Sequence, residues 1–224
     1  MRLLPFFIFL TFHLSAQNWI DINQTIQIDD TIYSKATGLP HTGLITETTD
    51  NGQIIFKART IKGLYNGGFV RFFSNGDTLQ KGEYKKGKLH GNIYEYNRRD
   101  LESGIKPHCW AKTQLINGVK SGKSESYFEN GKVYISSIYI NDKQTGQCTI
   151  YKETGKVHAK GMLFLDEAEG DWYVYNQNDG LYDLPFAVLV FENGKLSNCY
   201  GNCAEFSNGY DFVDTFLLDV FEIK

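Results

Sequence analysis

The sequence predicts an all-β protein: an elongated, single-layer antiparallel sheet of repeated β-hairpins, about 24 residues per unit. Three observations carry this expectation. Gly43, Gly67, Gly91, Gly122, Gly146 and Gly170 stand 24, 24, 31, 24 and 24 residues apart. Nine residues after four of these anchors come Gly52, Gly76, Gly131 and Gly155, three of them in Asn-Gly pairs, the strongest short hairpin signal. The composition, with 16 Phe, 14 Tyr and 22 Gly but only 4 Pro in 224 residues, favours strands and tight turns. No stretch keeps a 3.6-residue apolar period over a helical length.

The elements of one unit follow from further columns counted from the anchor. Asn51, Asn75 and Asn130, with Thr154, precede the turn glycine, and a type I′ turn with positive φ at both central residues is expected there. Ala58, Gly82, Ser137 and Gly161 form a small column at +15, and Thr60, Tyr84, Tyr139 and Leu163 a larger one at +17. A residue without bulk makes room for a ring opposite or diagonal to it. Gly63, Gly87, Asp142 and Asp166 at +20, joined by Gly118 once seven inserted residues are allowed for, mark a second turn. Each unit therefore reads strand, turn, strand, turn. One unit cannot bury its own apolar face, so neighbours must do it.

At +5 stand Phe72, Tyr96, Tyr127, Tyr151 and Tyr175. Two uses are open for these rings. They form the packed stripe of the sheet, which is the favoured expectation, or they line a displayed face that binds a protein or an envelope glycan, where Tyr is a preferred anchor.

The ends and the interruption divide the chain. Residues 1–16 read as a signal peptide: Met1-Arg2 is positive, Leu3 to Leu14 is apolar but too short to span a bilayer, and Ser15-Ala16 supplies small residues before a cut ahead of Gln17. Residues 17–42 are expected to cap and start the sheet, 43–180 to hold the repeats, and 181–224 to form a C-terminal hairpin about Asn193-Gly194 and a cap over 212–223. The irregular stretch 97–110 interrupts the array. The mature chain has no run apolar enough for a transmembrane segment.

Four cysteines in an oxidising compartment permit two disulfides in three connectivities. Cys199 and Cys203 enclose a short Gly- and Asn-containing loop and are the first expected pair, with Cys109 and Cys148 the second.

The charge balance excludes generic nucleic-acid binding: Lys plus Arg total 23 and Asp plus Glu 26, a net charge of −3. No hydrolase, zincin, phosphate-loop or dinucleotide motif is present. His41 and His90 sit just before anchor glycines and read as residues of solvated turns. His108 and Cys109 are sequence neighbours, which places them on opposite faces of a strand rather than in a catalytic pair. The acidic run Asp166 to Asp171 has no calcium-loop spacing and reads as a solvated turn.

Gly87 to Tyr96 (GKLHGNIYEY), Asn66 to Gly76 (NGGFVRFFSNG) and Ser126 to Val133 (SYFENGKV) resemble the variant MORN repeat: a Gly, an aromatic pair, then Asn-Gly. The opening Asp30 to Tyr33, with Leu39 to Gly43, is similar to the start of secreted YwqK-family proteins, often labelled as antitoxins. The resemblance implies a sheet of hairpins and a binding or scaffold role, with no enzyme activity and no cofactor. The expected function is a secreted, non-catalytic binding module for a protein or envelope glycan. The alternatives are a structural homodimer of the cell envelope and a metal-dependent envelope hydrolase.

Overall fold

The computed structural model describes residues 19–97, 107–175 and 184–203. The expected leader, the cap over 212–223, Gly180 and the middle of the 97–110 interruption lie outside these. The strands are β1 (Trp19–Asp21), β2 (Thr25–Ile28), β3 (Thr31–Ser34), β4 (Gly43–Thr48), β5 (Ile54–Ile61), β6 (Leu64–Phe72), β7 (Thr78–Lys85), β8 (Lys88–Tyr96) and β9 (Cys109–Ile116). They continue as β10 (Val119–Tyr127), β11 (Val133–Ile140), β12 (Lys143–Gln144), β13 (Gly146–Tyr151), β14 (Val157–Phe164), β15 (Glu167–Val174), β16 (Ala187–Glu192) and β17 (Lys195–Gly201).

From β4 onward, each strand pairs antiparallel with the next in one 15-stranded sheet, β12 continuing the pairing of β11 beside β13. Only β1 of the expected N-terminal cap joins that sheet, and it does so parallel to β4; β2 and β3 form a hairpin of their own. That hairpin docks on a turn of the array through Ile32 N–H to Gly63 C=O at 2.9 Å. The 97–110 interruption is shorter than expected, because Cys109 and Trp110 already belong to β9. Pairing continues across it through a bulge, with Glu95 opposite Ala111 and Tyr96 opposite Cys109, so that Trp110 is the extra residue. The tail also stays in the sheet as the β16–β17 hairpin.

The type I′ turn expected at the Asn-Gly column lies at the other turn column. The two-residue type I′ turns are at the +20 column: Lys62-Gly63, Lys86-Gly87, Asn117-Gly118, Asn141-Asp142 and Leu165-Asp166 all have positive φ at both positions, as does Asn193-Gly194. At the Asn-Gly column only the glycine does, with φ 83° at Gly52 and 78° at Gly131. There Asn serves through its side chain. Asn75 Oδ1 accepts Asp77 N–H at 3.0 Å and Asn130 Oδ1 accepts Lys132 N–H at 2.9 Å, so each closes an Asx turn. Thr154 Oγ1 accepts Lys156 N–H at 3.4 Å in the same way, which is why Thr can stand in this column.

The type I′ turns stack along one edge. The second residue of each donates its N–H to the carbonyl two residues before an anchor: Gly63 to His41, Gly87 to Tyr65 and Gly118 to Leu89 at 2.7 Å, Asp142 to Lys120 and Asp166 to Gln144 at 2.9 Å, and Gly194 to Ala168 at 3.2 Å. The side chain directly before most anchors then accepts from the first turn residue. Thr42 accepts Lys62 N–H at 2.9 Å, Asn66 accepts Lys86 N–H at 3.1 Å and Glu169 accepts Asn193 N–H at 3.1 Å. His90 Nδ1 plays this part for Asn117 N–H at 3.4 Å. His41 is buried rather than solvated, with Nδ1 2.8 Å from Thr60 Oγ1.

The buried face is built on the column at +2, not on the rings at +5. Ile45, Phe69, Ile93, Ser124, Cys148 and Trp172 are all buried there. The small residues at +15 lie beside them in register: Ala58 and Gly82 flank Phe69, and Gly161 opposes Cys148. A Cβ on Gly161 would overlap the Trp172 ring, and one on Gly82 would overlap Ile93. The small column does make room for large side chains, and those are Phe69, Ile93 and Trp172. Two apolar clusters result, one around Phe56, Ala58, Phe69 and Ile93, the other around Ile135, Ile150, Leu163, Trp172, Leu189 and Phe191. Between them the rung turns polar, where Thr113 Oγ1 and Ser124 Oγ lie 3.0 Å apart.

Candidate ligand-binding face

Alternation along a strand sends residues next to the core rung to the opposite, open face. Register joins Lys57, Val70, Lys81, Tyr94, Lys112, Glu125, Ser136, Thr149, Lys160 and Tyr173 into one row across β5 to β15. Lysine therefore stands at +14 in four units: Lys57, Lys81, Lys112 after the inserted residues, and Lys160. This column is legible in the sequence as a 24-residue lysine period. It went unused because a strand lysine ordinarily means only a solvated face.

The +5 rings belong to this same open face. Phe72, Tyr96, Tyr127, Tyr151 and Tyr175 are each partly buried, and none joins either apolar cluster. The structure thus corrects the expectation that they form the packed stripe. Lysines lie over three of them: Lys57 Nζ is 5.8 Å from the Phe72 centroid, Lys81 Nζ 5.3 Å from Tyr96 (and 5.5 Å from Tyr94 in the lysine row), and Lys160 Nζ 5.5 Å from Tyr175. Cation–π attraction holds each ammonium near a ring face while leaving it open to water.

Electrostatics differ along the row. A hydrogen bond with Tyr96 outweighs desolvation and raises the pKa of Lys81, so it stays charged. Lys112 instead lies 3.9 Å from Glu125, which also takes Lys123 at 2.6 Å and the Tyr127 hydroxyl at 3.0 Å. Burial alone would raise the Glu125 carboxyl, but these partners hold it below its ordinary value. Burial and Glu125 in turn push the Tyr127 hydroxyl up. Among the described residues Lys160 has no ion pair, and neither does either lysine at the Lys57–Lys81 end.

There the open face is concave. A depression of about 620 Å³ there is lined by Lys57, Gly68, Lys81, Glu83, Asn92 and Tyr94 among others. Gly68 leaves its centre flat, since a Cβ there would meet nothing nearer than the Gly82 carbonyl at 4.0 Å.

The remaining sequence candidates are placed as follows. Cys199 and Cys203 are bridged. Cys109 and Cys148 are free thiols on β9 and β13, with β10 and β11 between them, so the second expected disulfide does not form. Burial pushes the Cys148 thiol up to about 12 and raises Cys109 as well, leaving both protonated near neutral pH. His108 and Cys109 form no hydrogen bond with each other; His108 N–H donates to Asn97 and the Cys109 thiol to the Ala111 carbonyl. Asp166 caps a turn, its carboxylate 2.6 Å from Lys143 Nζ and accepting Gln144 N–H at 2.7 Å. Among the described residues, no three His, Cys, Asp or Glu side chains gather as a metal site requires, and no helix is long and apolar enough to cross a membrane.

No family model and no curated protein matches the chain. Among solved structures it aligns with a chain in the crystal structure of a GtfA/B complex bound to UDP and GlcNAc. The identity is 12% and the TM-score 0.20, over 64% of this chain and 26% of that one. A likeness at that TM-score carries no argument.

Proposed function

We propose that this chain is a secreted, non-catalytic binding module of the MORN-like type, and that its open face holds the partner. The observation that supports this reading is the lysine column in register with rings across the sheet, concave at the Lys57–Lys81 end. Every repeat spends its opposite face on packing, so the open face is where a periodic sequence can present a periodic surface. Secretion is supported by the leader-like residues 1–16 and by the Cys199–Cys203 disulfide, which persists in oxidising compartments. The test is retention of envelope-fraction material by the full chain and by a variant with Lys57, Lys81, Lys112 and Lys160 all replaced by Ser. Retention lost with the lysines supports the reading, and equal retention by both chains removes it.

A second reading, association of two copies, is favoured by one observation. Ile138 and Ile140 on β11 and Met162 and Phe164 on β14 are exposed on the open face, away from the lysine pair. Sedimentation equilibrium tests it: a concentration-dependent dimer that Ile140→Ser with Phe164→Ser dissociates supports it, and a monomer at high concentration excludes it.

A further inference from the structure

We infer that the depression between Lys57 and Lys81 is a binding site for an acidic carbohydrate chain, one that carries carboxylates on successive sugar units; this rests on the binding-module reading. Lys57 and Lys81 are carried by β5 and β7, with β6 between them. Two inter-strand spacings put their attachment points about 10 Å apart across the strands. A ligand that engages both is therefore extended, with negative charges at intervals of that order. Lysine suits such a ligand. Its ammonium is a compact charge with three rotatable donors, where a planar guanidinium would demand bidentate geometry.

The space between the two ammonium groups selects against a peptide. Strands β5 to β8 are interior to the sheet, and their backbone groups already pair with one another. An extended peptide laid across them finds no main-chain partners and cannot add as a strand. A sugar ring needs none. It needs a flat floor, an aromatic face for its C–H side and polar groups for its hydroxyls. Gly68 leaves the floor flat, and the Tyr94 ring, now with Lys81 Nζ 5.5 Å and Lys112 Nζ 5.9 Å from its centroid, offers the sugar C–H groups an electron-rich face once those ammonium groups turn to the ligand's carboxylates. The Asn92 amide donates and accepts, and Glu83 accepts, which matches hydroxyls and not an all-acceptor ligand. A glycine in a strand interior weakens it, so the flat floor is kept at a local cost to the sheet.

The probes are an oligogalacturonate hexamer, a neutral galactose hexamer and a Glu-rich peptide of equal charge, each titrated calorimetrically into the full chain. The acidic hexamer is expected to bind, with the neutral sugar and the peptide at least about tenfold weaker. Lys57→Ser with Lys81→Ser is expected to lower affinity for the acidic hexamer about tenfold or more, consistent with loss of charge-assisted contacts. Gly68→Leu fills the depression from a position whose backbone permits a side chain, and is expected to abolish binding with no fall in melting temperature. Tyr94→Ala gives an independent loss should Gly68→Leu fold poorly. Binding of the Glu-rich peptide as tightly as the sugar, with the same lysine dependence, overturns the carbohydrate assignment and leaves the binding-module reading standing. Failure of the acidic hexamer to bind also overturns it. The module reading falls only if retention of envelope material is indifferent to the lysines as well.

Discussion

Two glycines with ordinary backbone angles show how one residue type serves opposite ends on the two faces. Gly161 lies under the Trp172 ring, where any Cβ overlaps the indole. Gly68 lies under open space. Alanine should therefore act in opposite directions. Gly161→Ala overpacks a buried site and is expected to destabilise by about 1–3 kcal/mol. Gly68→Ala loses only the entropic penalty of glycine in a strand and is expected to stabilise by about 0.5–1 kcal/mol. Urea midpoints of the two variants check this, and midpoints that shift the same way refute the assignment of faces. The sequence marked Gly161 as one of a small column that admits a ring, and the ring it admits is Trp172. Alternation is strict, so the columns at +2 and +5 fall on opposite faces, and composition alone does not say which face is packed. The same contrast separates neighbours on β13. Ile150→Ala, from the buried side, should cost about 2–5 kcal/mol. Tyr151→Ala, from the partly buried open side, should cost about 1 kcal/mol by the same measurement.

At the scale of elements, the turns carry the repeat, and both turn columns were readable as glycine periods. Their types were not, because Asn-Gly suits two geometries: Asn at positive φ, or Asn as a side-chain acceptor before a left-handed glycine. Asn130 adopts the second, closing on Lys132 N–H. Asn130→Ala removes that bond and the exposed one from Nδ2 to the Glu153 carbonyl, and is expected to cost about 0.5–1.5 kcal/mol. Gly131→Val, at φ 78°, should cost more, since a β-branched residue is strained there. Thermal denaturation of both variants checks the order, and a larger loss for Asn130→Ala would mean that the Asx turn dominates. Asp166 gives a pH signature. Burial would raise its carboxyl, but Lys143 and the Gln144 N–H outweigh that and hold it below the ordinary value. A carboxylate depressed in the folded state contributes stability that is complete above the unfolded pKa of about 3.9 and is lost as pH falls through the folded one. Asp166→Asn keeps an acceptor oxygen and tolerates the positive φ, so it isolates the charge. Its deficit against the natural chain should be full at pH 7 and shrink as pH falls below the unfolded value and through the lower folded one. A deficit independent of pH would mean that the turn geometry, not the charge, is what Asp166 supplies.

For the whole molecule, the 24-residue period made the hairpin array legible, but the open-face site was hidden because it lies in no single motif. Lys57, Lys81 and Tyr94 become neighbours only when register is fixed across three hairpins. The parallel pairing of β1 had no local signal either, since it joins residues on both sides of an independent hairpin. The same register makes the array divisible. Removing Gly122 to Thr145, one complete 24-residue unit, joins Ser121 to Gly146 and sets Cys148 where Ser124 stood. Asp166, which now donates its N–H to the Gln144 carbonyl, would meet the Lys120 carbonyl that Asp142 holds in the natural chain. Its carboxylate would likewise take over the Lys120 N–H from Asp142. Tyr139 and Gln144, bonded to each other at 3.0 Å, leave together, while Lys120 loses the Tyr139 ring centred 5.1 Å from its Nζ. The shortened chain is expected to fold with the same strand signature and a cooperative melt at a lower temperature, as repeat stabilities sum with nearest-neighbour terms. Removing only Gly122 to Val133 takes out one strand and one turn, so the arrays on either side set their type I′ turns on opposite edges and lose the turn-to-turn hydrogen bonds at the junction, and this chain should melt without the cooperativity of the full-unit deletion. Circular dichroism melts of the two deletions decide the matter. If the half-unit deletion melts as cooperatively as the full one, the sheet is not assembled from interchangeable hairpin pairs.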